Sequence, residues 1–132
     1  MDFFLTEDEK RGEIERLRWS DLDPGIFELV KALNELPGIV ILPLQSCQGR
    51  VKRSGSQEPG CLWLRLSGNA FRRFEQRVHE LLGCRLIERV QVIYFREGPV
   101  VDITFRGMNK GKEALEASCA FLLAFFSSIQ GW

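Results

Sequence analysis

The feature that most constrains the fold of this chain is a pair of apolar segments, 86–96 and 99–105, that meet at Glu97-Gly98. A short connection containing glycine is typical of a tight hairpin, which joins its two strands in antiparallel order. Pro99 opens the second segment, where a missing backbone N–H is tolerated. An earlier segment, 61–67, places leucine at every second position, the period of a strand with one face in the core. The sequence therefore predicts an antiparallel sheet.

Helical signals surround these strands. Thr6 and Glu9 have the spacing of a capping box ahead of a predicted helix at 7–19. Asp23 followed by Pro24 predicts the start of a second helix, in which the aspartate acts as the N-cap. The spacing of apolar residues predicts two further helices, at 70–82 and 110–128, and an apolar run predicts a buried strand at 39–44.

The resulting order, ααββαββα, predicts an α+β fold. We expect a two-layer domain with a mainly antiparallel sheet and helices packed on one face. The chain is 132 residues long and no linker divides it, so residues 1–132 are expected to form a single domain. The one stretch that reads as an irregular loop within it is 51–59, which is rich in serine, glycine and charged residues.

Charge and cysteine usage narrow the functional classes. Eighteen basic and eighteen acidic residues cancel, but residues 1–35 carry a net charge of −5 and residues 48–77 a net charge of +5. Four cysteines without a CxxC spacing and a single histidine predict no metal site. The longest apolar run, 119–126, is too short to cross a bilayer, so no membrane partner is expected. Without a signal peptide at the acidic N-terminus, we expect a cytoplasmic protein with reduced thiols.

The polar stretch after the strand at 39–44 is the main candidate site. It is Ser46-Cys47-Gln48-Gly49-Arg50, in which arginine, a hydroxyl and turn N–H groups suit phosphate or carboxylate recognition. The alternative is that Ser46 and Gln48 only satisfy backbone groups of the turn. Cys47 is a candidate nucleophile or, alternatively, a small residue filling a tight turn.

Trp63 and Arg65 extend this set of candidate ligand-binding residues. They lie on the mixed face of the strand at 61–67, where they could stack on a base or ring. The alternative is a tryptophan packed beneath a helix. The sequence contains no GxGxxG, Walker, HExxH or paired-carboxylate motif.

The segment of about 23–66 resembles the first half of the wybutosine-synthesis methyltransferases, which modify tRNA. The resemblance is carried by Asp23 at the start of a helix, by Ser46-Cys47-Gln48-Gly49-Arg50 after a strand, and by Leu62-Trp63-Leu64. It implies S-adenosylmethionine as cofactor, methyl transfer to a modified guanosine, and ligand binding by Ser46 and Arg50. Asp23 and Arg50 would then be the catalytic candidates, for orientation and charge. The chain also resembles small bacterial proteins that share the loop and have no assigned activity.

Two other hypotheses remain open. In the first, the protein is a non-catalytic homodimeric interaction module whose loop is structural. The last helix would supply the interface, because its apolar face is broad and contains Leu115, Cys119, Leu122, Phe126, Ala114, Phe121 and Phe125. In the second, the protein is a cysteine-dependent enzyme that uses Cys47.

Overall fold

The structure is a computed structural model that describes residues 3–132. Its four α-helices are α1 (Glu7–Arg16), α2 (Phe27–Asn34), α3 (Gly68–Leu82) and α4 (Lys112–Ile129). Its strands are β1 (Ile39–Ile41), β2 (Arg50–Val51), β3 (Gln57–Glu58), β4 (Gly60–Leu66), β5 (Ile87–Phe95) and β6 (Gly98–Phe105). Short 3-10 turns occupy Trp19–Asp21, Pro24–Ile26, Pro43–Gln45 and Met108–Lys110.

Four strands form one antiparallel sheet in the order β1-β4-β6-β5. In its central pair, Leu62 faces Ile103 and Leu64 faces Val101, and all four side chains are fully buried. Helices α2, α3 and α4 pack over this leucine-bearing face. Burying each such aliphatic side chain contributes about 1.5–3 kcal/mol. The predicted α+β class, with helices packed on an antiparallel sheet, is confirmed.

The opposite face of the sheet is only partly covered. Helix α1 lies at one end of it, where Glu9 contacts Arg65 of β4. The Lys10 ammonium group donates to the Leu36 carbonyl oxygen, and the Leu5 N–H donates to the Leu66 carbonyl oxygen at 3.0 Å. Beyond this end, no helix covers the β4–β6–β5 part of the face within residues 3–132, and this leaves a groove.

Local capping rules explain two of the four helix starts. The Thr6 hydroxyl accepts from the Glu9 N–H, and the Glu9 carboxylate accepts from the Thr6 N–H, both at 3.2 Å. Ser67 caps α3 by accepting from the Ala70 N–H at 3.1 Å. Helix α1 ends at Arg16, three residues before the predicted boundary, because Leu17 takes an extended conformation.

Strand β4 lies one residue earlier than predicted, and the ends of β1 and of the β5–β6 hairpin also differ. Strand β1 ends at Ile41, because Pro43 has no N–H and begins a 3-10 turn. The hairpin between β5 and β6 turns at Arg96-Glu97, one residue earlier than predicted, so that Gly98 pairs with Phe95. Gly98 adopts a φ of 128°, which favours glycine.

Residues 51–59 are not an irregular loop. Strands β2 and β3 pair Arg50 with Glu58 and Val51 with Gln57 in a small antiparallel hairpin. Its tip is closed by a bond from the Lys52 N–H to the Ser56 carbonyl oxygen at 2.8 Å. The amino-acid composition of residues 51–59 is typical of a turn. The two short strands beside the turn depend on backbone hydrogen bonds, which composition does not predict.

None of the helices in the described residues is long and apolar enough to cross a membrane.

Candidate ligand groove beside the Ser46–Arg50 loop

Ser46 supports the loop from within. Its side chain is 7% exposed, and its hydroxyl donates to the Leu42 carbonyl oxygen at 2.9 Å. The Ser46 hydroxyl oxygen also accepts from the Trp63 N–H of β4 at 3.1 Å. Ser46 therefore satisfies backbone groups, as the structural interpretation of this residue predicts.

Gln48 joins the loop to the segment before α2. Its side-chain oxygen accepts from the Gly25 N–H at 2.7 Å, and its backbone N–H donates to the Asp23 carboxylate at 2.9 Å. Its carbonyl oxygen accepts from the Met108 N–H at 2.7 Å. A side chain at Gly25 would overlap the Gln48 amide. Gly49, with φ of 81°, provides the bend that places these three bonds.

Asp23 and Arg50 form an ion pair. One guanidinium nitrogen, Nη2, lies 3.0 Å from both carboxylate oxygens, and Arg50 remains 55% exposed. Within the described chain Asp23 makes no capping bond, and α2 begins only at Phe27. The prediction that Asp23 is a helix cap is wrong, because its carboxylate is held by the Gln48 N–H and by Arg50 instead. In the described structure only Nη2 of Arg50 is hydrogen-bonded, so its other N–H groups remain available to a ligand.

The Cys47 thiol lies 4.0 Å from a Glu58 carboxylate oxygen and 3.7 Å from the Pro59 carbonyl oxygen. Burial raises the pKa of this thiol, and the charges of Glu58 and Asp23 add to the increase. The N–H of Gly49 acts in the opposite direction but does not offset these effects. A catalytic cysteine that must be ionised at neutral pH needs a lowered pKa, so this environment does not support the cysteine-enzyme hypothesis and leaves Cys47 only slow reactivity that increases with pH.

Trp63 and Arg65 lie on the partly covered face of the sheet, away from the Asp23–Arg50 pair. The Trp63 and Phe95 rings are 5.9 Å apart, with 45° between their planes. They line a cavity of about 230 Å³. Its other lining residues are Glu13, Leu42, Gln45, Arg65, Glu97, Gly98 and Val100. The structure therefore groups Trp63 and Arg65 with the turn that precedes the loop, at Gln45, and not with Arg50.

Arg65 is the most constrained charge in this groove. Its side chain is 9% exposed, and Nη1 donates to Glu9 at 2.7 Å. Nη2 donates to the Glu97 carbonyl oxygen at 3.0 Å, whereas the buried Nε has no partner in the described structure. An unsatisfied buried N–H is costly, so Arg65 depends on its two Nη contacts.

A second cavity, of about 360 Å³, continues the groove along the 3-10 turn at Pro43–Gln45. The two cavities share Glu13, Leu42 and Gln45. Together they reach the size range of small-molecule sites, which bury most of a ligand of a few hundred Å³. The Glu13 carboxylate pairs with Arg16 at 3.0 Å, and the charge of Arg65 is matched by Glu9. Two other lining carboxylates, Glu97 and Asp21, have no ion-pair partner in the described structure. The groove thus favours a ligand with a planar ring and a positive group.

A different surface carries exposed positive charge. Arg50, Lys52, Arg53 and Lys110 are exposed around the β2–β3 hairpin, and Lys110 donates to Gln57 at 2.8 Å. We call these four residues the cationic hairpin surface. The carboxylates nearest to it are Asp23 and Glu58, so the four cations outnumber them.

Apart from Trp63 and Arg65, sequence reasoning did not identify the residues that line the cavity beside Trp63, among them Phe95. It also did not identify Glu9 as the partner of Arg65, because the capping box explains Glu9 locally and Arg65 is 56 residues away. The hairpin register could have identified Phe95, since alternate residues of β5 share a face with Trp63 across β6. No group of three or more potential metal ligands is found among residues 3–132.

Comparisons with protein-family models, with curated proteins and with solved structures find no match to this chain.

Proposed function

We propose that this domain binds a nucleotide-like small molecule in the groove between α1 and the partly covered sheet face. The observation that carries the proposal is the half-enclosed cavity in which Trp63 and Phe95 face each other beside Gln45. Aromatic side chains bind the π-face of a base, and stacking of this kind contributes about 1–3 kcal/mol per base. The Gln45 amide supplies both a donor and acceptors for the edge of the ring.

S-adenosylmethionine is the ligand to test first. The resemblance of residues 23–66 to tRNA methyltransferases implies it, and the groove offers partners for each of its parts. Its adenine would stack on Trp63, and its sulfonium and ammonium charges would face the carboxylates of Glu97 and Asp21, which line the two cavities. When bound, the cofactor would supply a methyl group on positively charged sulfur. Asp23 and Arg50 line neither cavity, so they would contact the RNA that carries the methyl acceptor and not the cofactor.

The first test is a calorimetric titration of the wild-type protein with S-adenosylmethionine, S-adenosylhomocysteine and adenosine. We expect S-adenosylmethionine to bind most tightly, because only it carries the sulfonium charge. At 100 times its Kd it should stabilise the protein by about 2.7 kcal/mol. Trp63→Ala should weaken binding by about 5- to 150-fold, the range that corresponds to one lost stacking contact.

Trp19→Ala is the matched control for this titration. Trp19 is also partly exposed and packs against Phe27, but it lines neither cavity of the groove. Its replacement should leave the Kd unchanged. Equal binding by wild type and Trp63→Ala would place the ligand elsewhere, and an absence of binding by all three compounds would reject the proposal.

A second candidate function, favoured by the cationic hairpin surface, is binding of tRNA or another RNA through its phosphates. Single-stranded nucleic acid binding loses affinity with salt in proportion to the number of phosphates contacted. We expect the triple variant Arg50→Ala/Lys52→Ala/Arg53→Ala to bind tRNA more weakly. The slope of log K against log salt should become shallower by about one unit for each cation removed.

The control is Arg11→Ala/Arg16→Ala/Lys31→Ala, which removes the same charge from the exposed sides of α1 and α2. It should leave the salt slope unchanged. If both triple variants lose the same affinity, the interaction depends on net charge alone and the hairpin is not an RNA site.

A cytoplasmic location and a homodimer through the last helix stay predictions. Among the described residues, none of the large apolar side chains that are exposed lies on α4. The non-catalytic module therefore requires an interface built from smaller side chains of that helix.

A further inference from the structure

Cys47 and Cys61 face each other across two neighbouring backbone segments. The Cys47 N–H donates to the Cys61 carbonyl oxygen at 2.8 Å, and the Cys61 N–H donates to the Cys47 carbonyl oxygen at 3.0 Å. Reciprocal bonds of this kind define a directly opposed antiparallel pair, in which the two side chains share a face and the Cα atoms lie about 5.5 Å apart. That separation is within the range that a disulfide spans.

We propose that Cys47 and Cys61 form a reversible disulfide, which is a redox modification site that ties the Ser46–Arg50 loop to β4. The bond would close a ring containing the whole β2–β3 hairpin. Both thiols are half-buried, so a small oxidant can reach them. Residue 47 stands in an isolated bridge and not in a long strand, and Gly49 follows it with a positive φ. The adjustment that the bond requires is therefore confined to the backbone around residue 47.

The geometry also predicts that the bond is easily reduced. Opposed residues in a hydrogen-bonded antiparallel pair have Cβ atoms about 1 Å farther apart than in a relaxed disulfide. Closing that gap stores strain, and strained or accessible disulfides are the labile ones. Cys84 and Cys119 have no such opposed partner in the described structure, although their thiols are similarly half-buried. They serve as internal controls.

The reaction with glutathione disulfide, taken as the oxidant, proceeds in two exchanges. Cys47 loses its proton and its sulfur attacks one glutathione sulfur, which breaks the glutathione S–S bond and releases one glutathione that takes up a proton. The deprotonated Cys61 sulfur then attacks the Cys47 sulfur of the mixed disulfide and displaces the second glutathione. Two protein thiols are oxidised and one glutathione disulfide is reduced to two thiols.

Charged neighbours determine which thiol acts first. Burial raises the pKa of Cys61 to about 12, and Asp102, 3.3 Å from its sulfur, adds to this while Arg89 acts in the opposite direction. The pKa of Cys47 is also raised, by burial and by Glu58 and Asp23. The Cys47 sulfur lies 4.0 Å from its neighbouring carboxylate and the Cys61 sulfur only 3.3 Å from its own, so a negative charge on sulfur is opposed less at Cys47, which is the expected attacking thiol. Its rate should rise about tenfold per pH unit between pH 7 and 8.

The test is incubation of the full chain with glutathione disulfide, followed by peptide mapping under non-reducing conditions. We expect a Cys47–Cys61 cross-linked peptide, loss of two of the four free thiols, and full recovery of both with reduced glutathione. The double variant Cys84→Ser/Cys119→Ser should form the same bond at the same rate. Cys61→Ser should instead stop at the mixed disulfide on Cys47.

Two outcomes would overturn the proposal. One is a cross-link that involves Cys84 or Cys119. The other is stable glutathione adducts on both Cys47 and Cys61 of a protein that is still folded by circular dichroism, because an opposed pair should displace the adduct. The peptide map and the count of free thiols do not depend on ligand or RNA binding. They therefore test the disulfide independently of the proposed function.

Discussion

Replacing Glu9 by glutamine should destabilise the domain more than replacing Arg65 by methionine. Arg65 is 9% exposed and Glu9 is 39% exposed. Loss of Glu9 therefore leaves a buried charge without its partner, whereas loss of Arg65 leaves a charge that is partly in water. Without the Glu9 charge, Arg65 remains buried beside a neutral amide. Breaking a fully buried pair in this way costs about 3–5 kcal/mol, and the partial exposure of Glu9 reduces our expected value to about 2 kcal/mol.

Replacing Arg65 by methionine should cost about 1 kcal/mol of stability, because a Glu9 carboxylate without its partner can turn toward water. Methionine also keeps most of the apolar stem that arginine packs against the sheet. Urea unfolding at pH 7 measures both values. Thr6→Ala provides the control for any loss of the capping box, at about 1 kcal/mol. If Arg65→Met lowers the free energy of unfolding more than Glu9→Gln does, the difference in burial does not determine the cost of breaking the pair.

The same pair predicts a pH dependence. Burial alone would raise the pKa of Glu9, but the hydrogen bond and charge of Arg65, helped by Thr6, hold that pKa below its ordinary value of 4.5. A pKa lowered in the folded state means that the folded protein is stabilised above pH 4.5. This stabilisation is lost as the pH falls through the folded-state pKa. The difference between wild type and Glu9→Gln should therefore shrink below pH 4.5.

The sheet and its helices could be predicted because their signals are local. The alternation in β4 and the short connection between β5 and β6 depend on neighbours in sequence, and each fixes one face or one direction. The ends of elements were less predictable. Asp23-Pro24 has the local form of a helix start, but two tertiary hydrogen bonds to the Asp23 carboxylate outweigh the cap that it could make.

In the candidate site, too, local properties could be predicted and tertiary contacts could not. The sequence identified Ser46, Gln48 and Arg50 as residues able to form hydrogen bonds, which is a property of the side chain alone. Whether that capability is free for a ligand depends on residues distant in sequence, such as Gly25 and Met108. Two of the three predicted binding side chains are engaged in holding the loop. The groove could not be predicted, because it exists only where α1 stops short of covering the sheet.

The variant Phe125→Asp should unfold the domain and not merely separate subunits. Phe125 is 5% exposed and makes edge-to-face contacts with Phe74 and Phe126, at ring distances of 6.3 and 5.2 Å. Removing a buried aromatic ring costs about 3–5 kcal/mol, and an unpaired buried carboxylate adds to that cost. Domains of this size have a total stability of about 5–15 kcal/mol. Circular dichroism should therefore show a large loss of melting temperature or no cooperative transition.

Ala124→Arg is the change that tests association itself. Ala124 lies on the exposed side of α4, so the substitution should alter the monomer's stability by no more than about 0.5 kcal/mol. If the last helix forms a homodimer, light scattering should detect a dimer in the wild type and a folded monomer in Ala124→Arg. A folded, monomeric Phe125→Asp protein would instead place Phe125 in a subunit interface. Because the aromatic side of α4 is already packed against α3, only the alanine-rich side remains for a second copy.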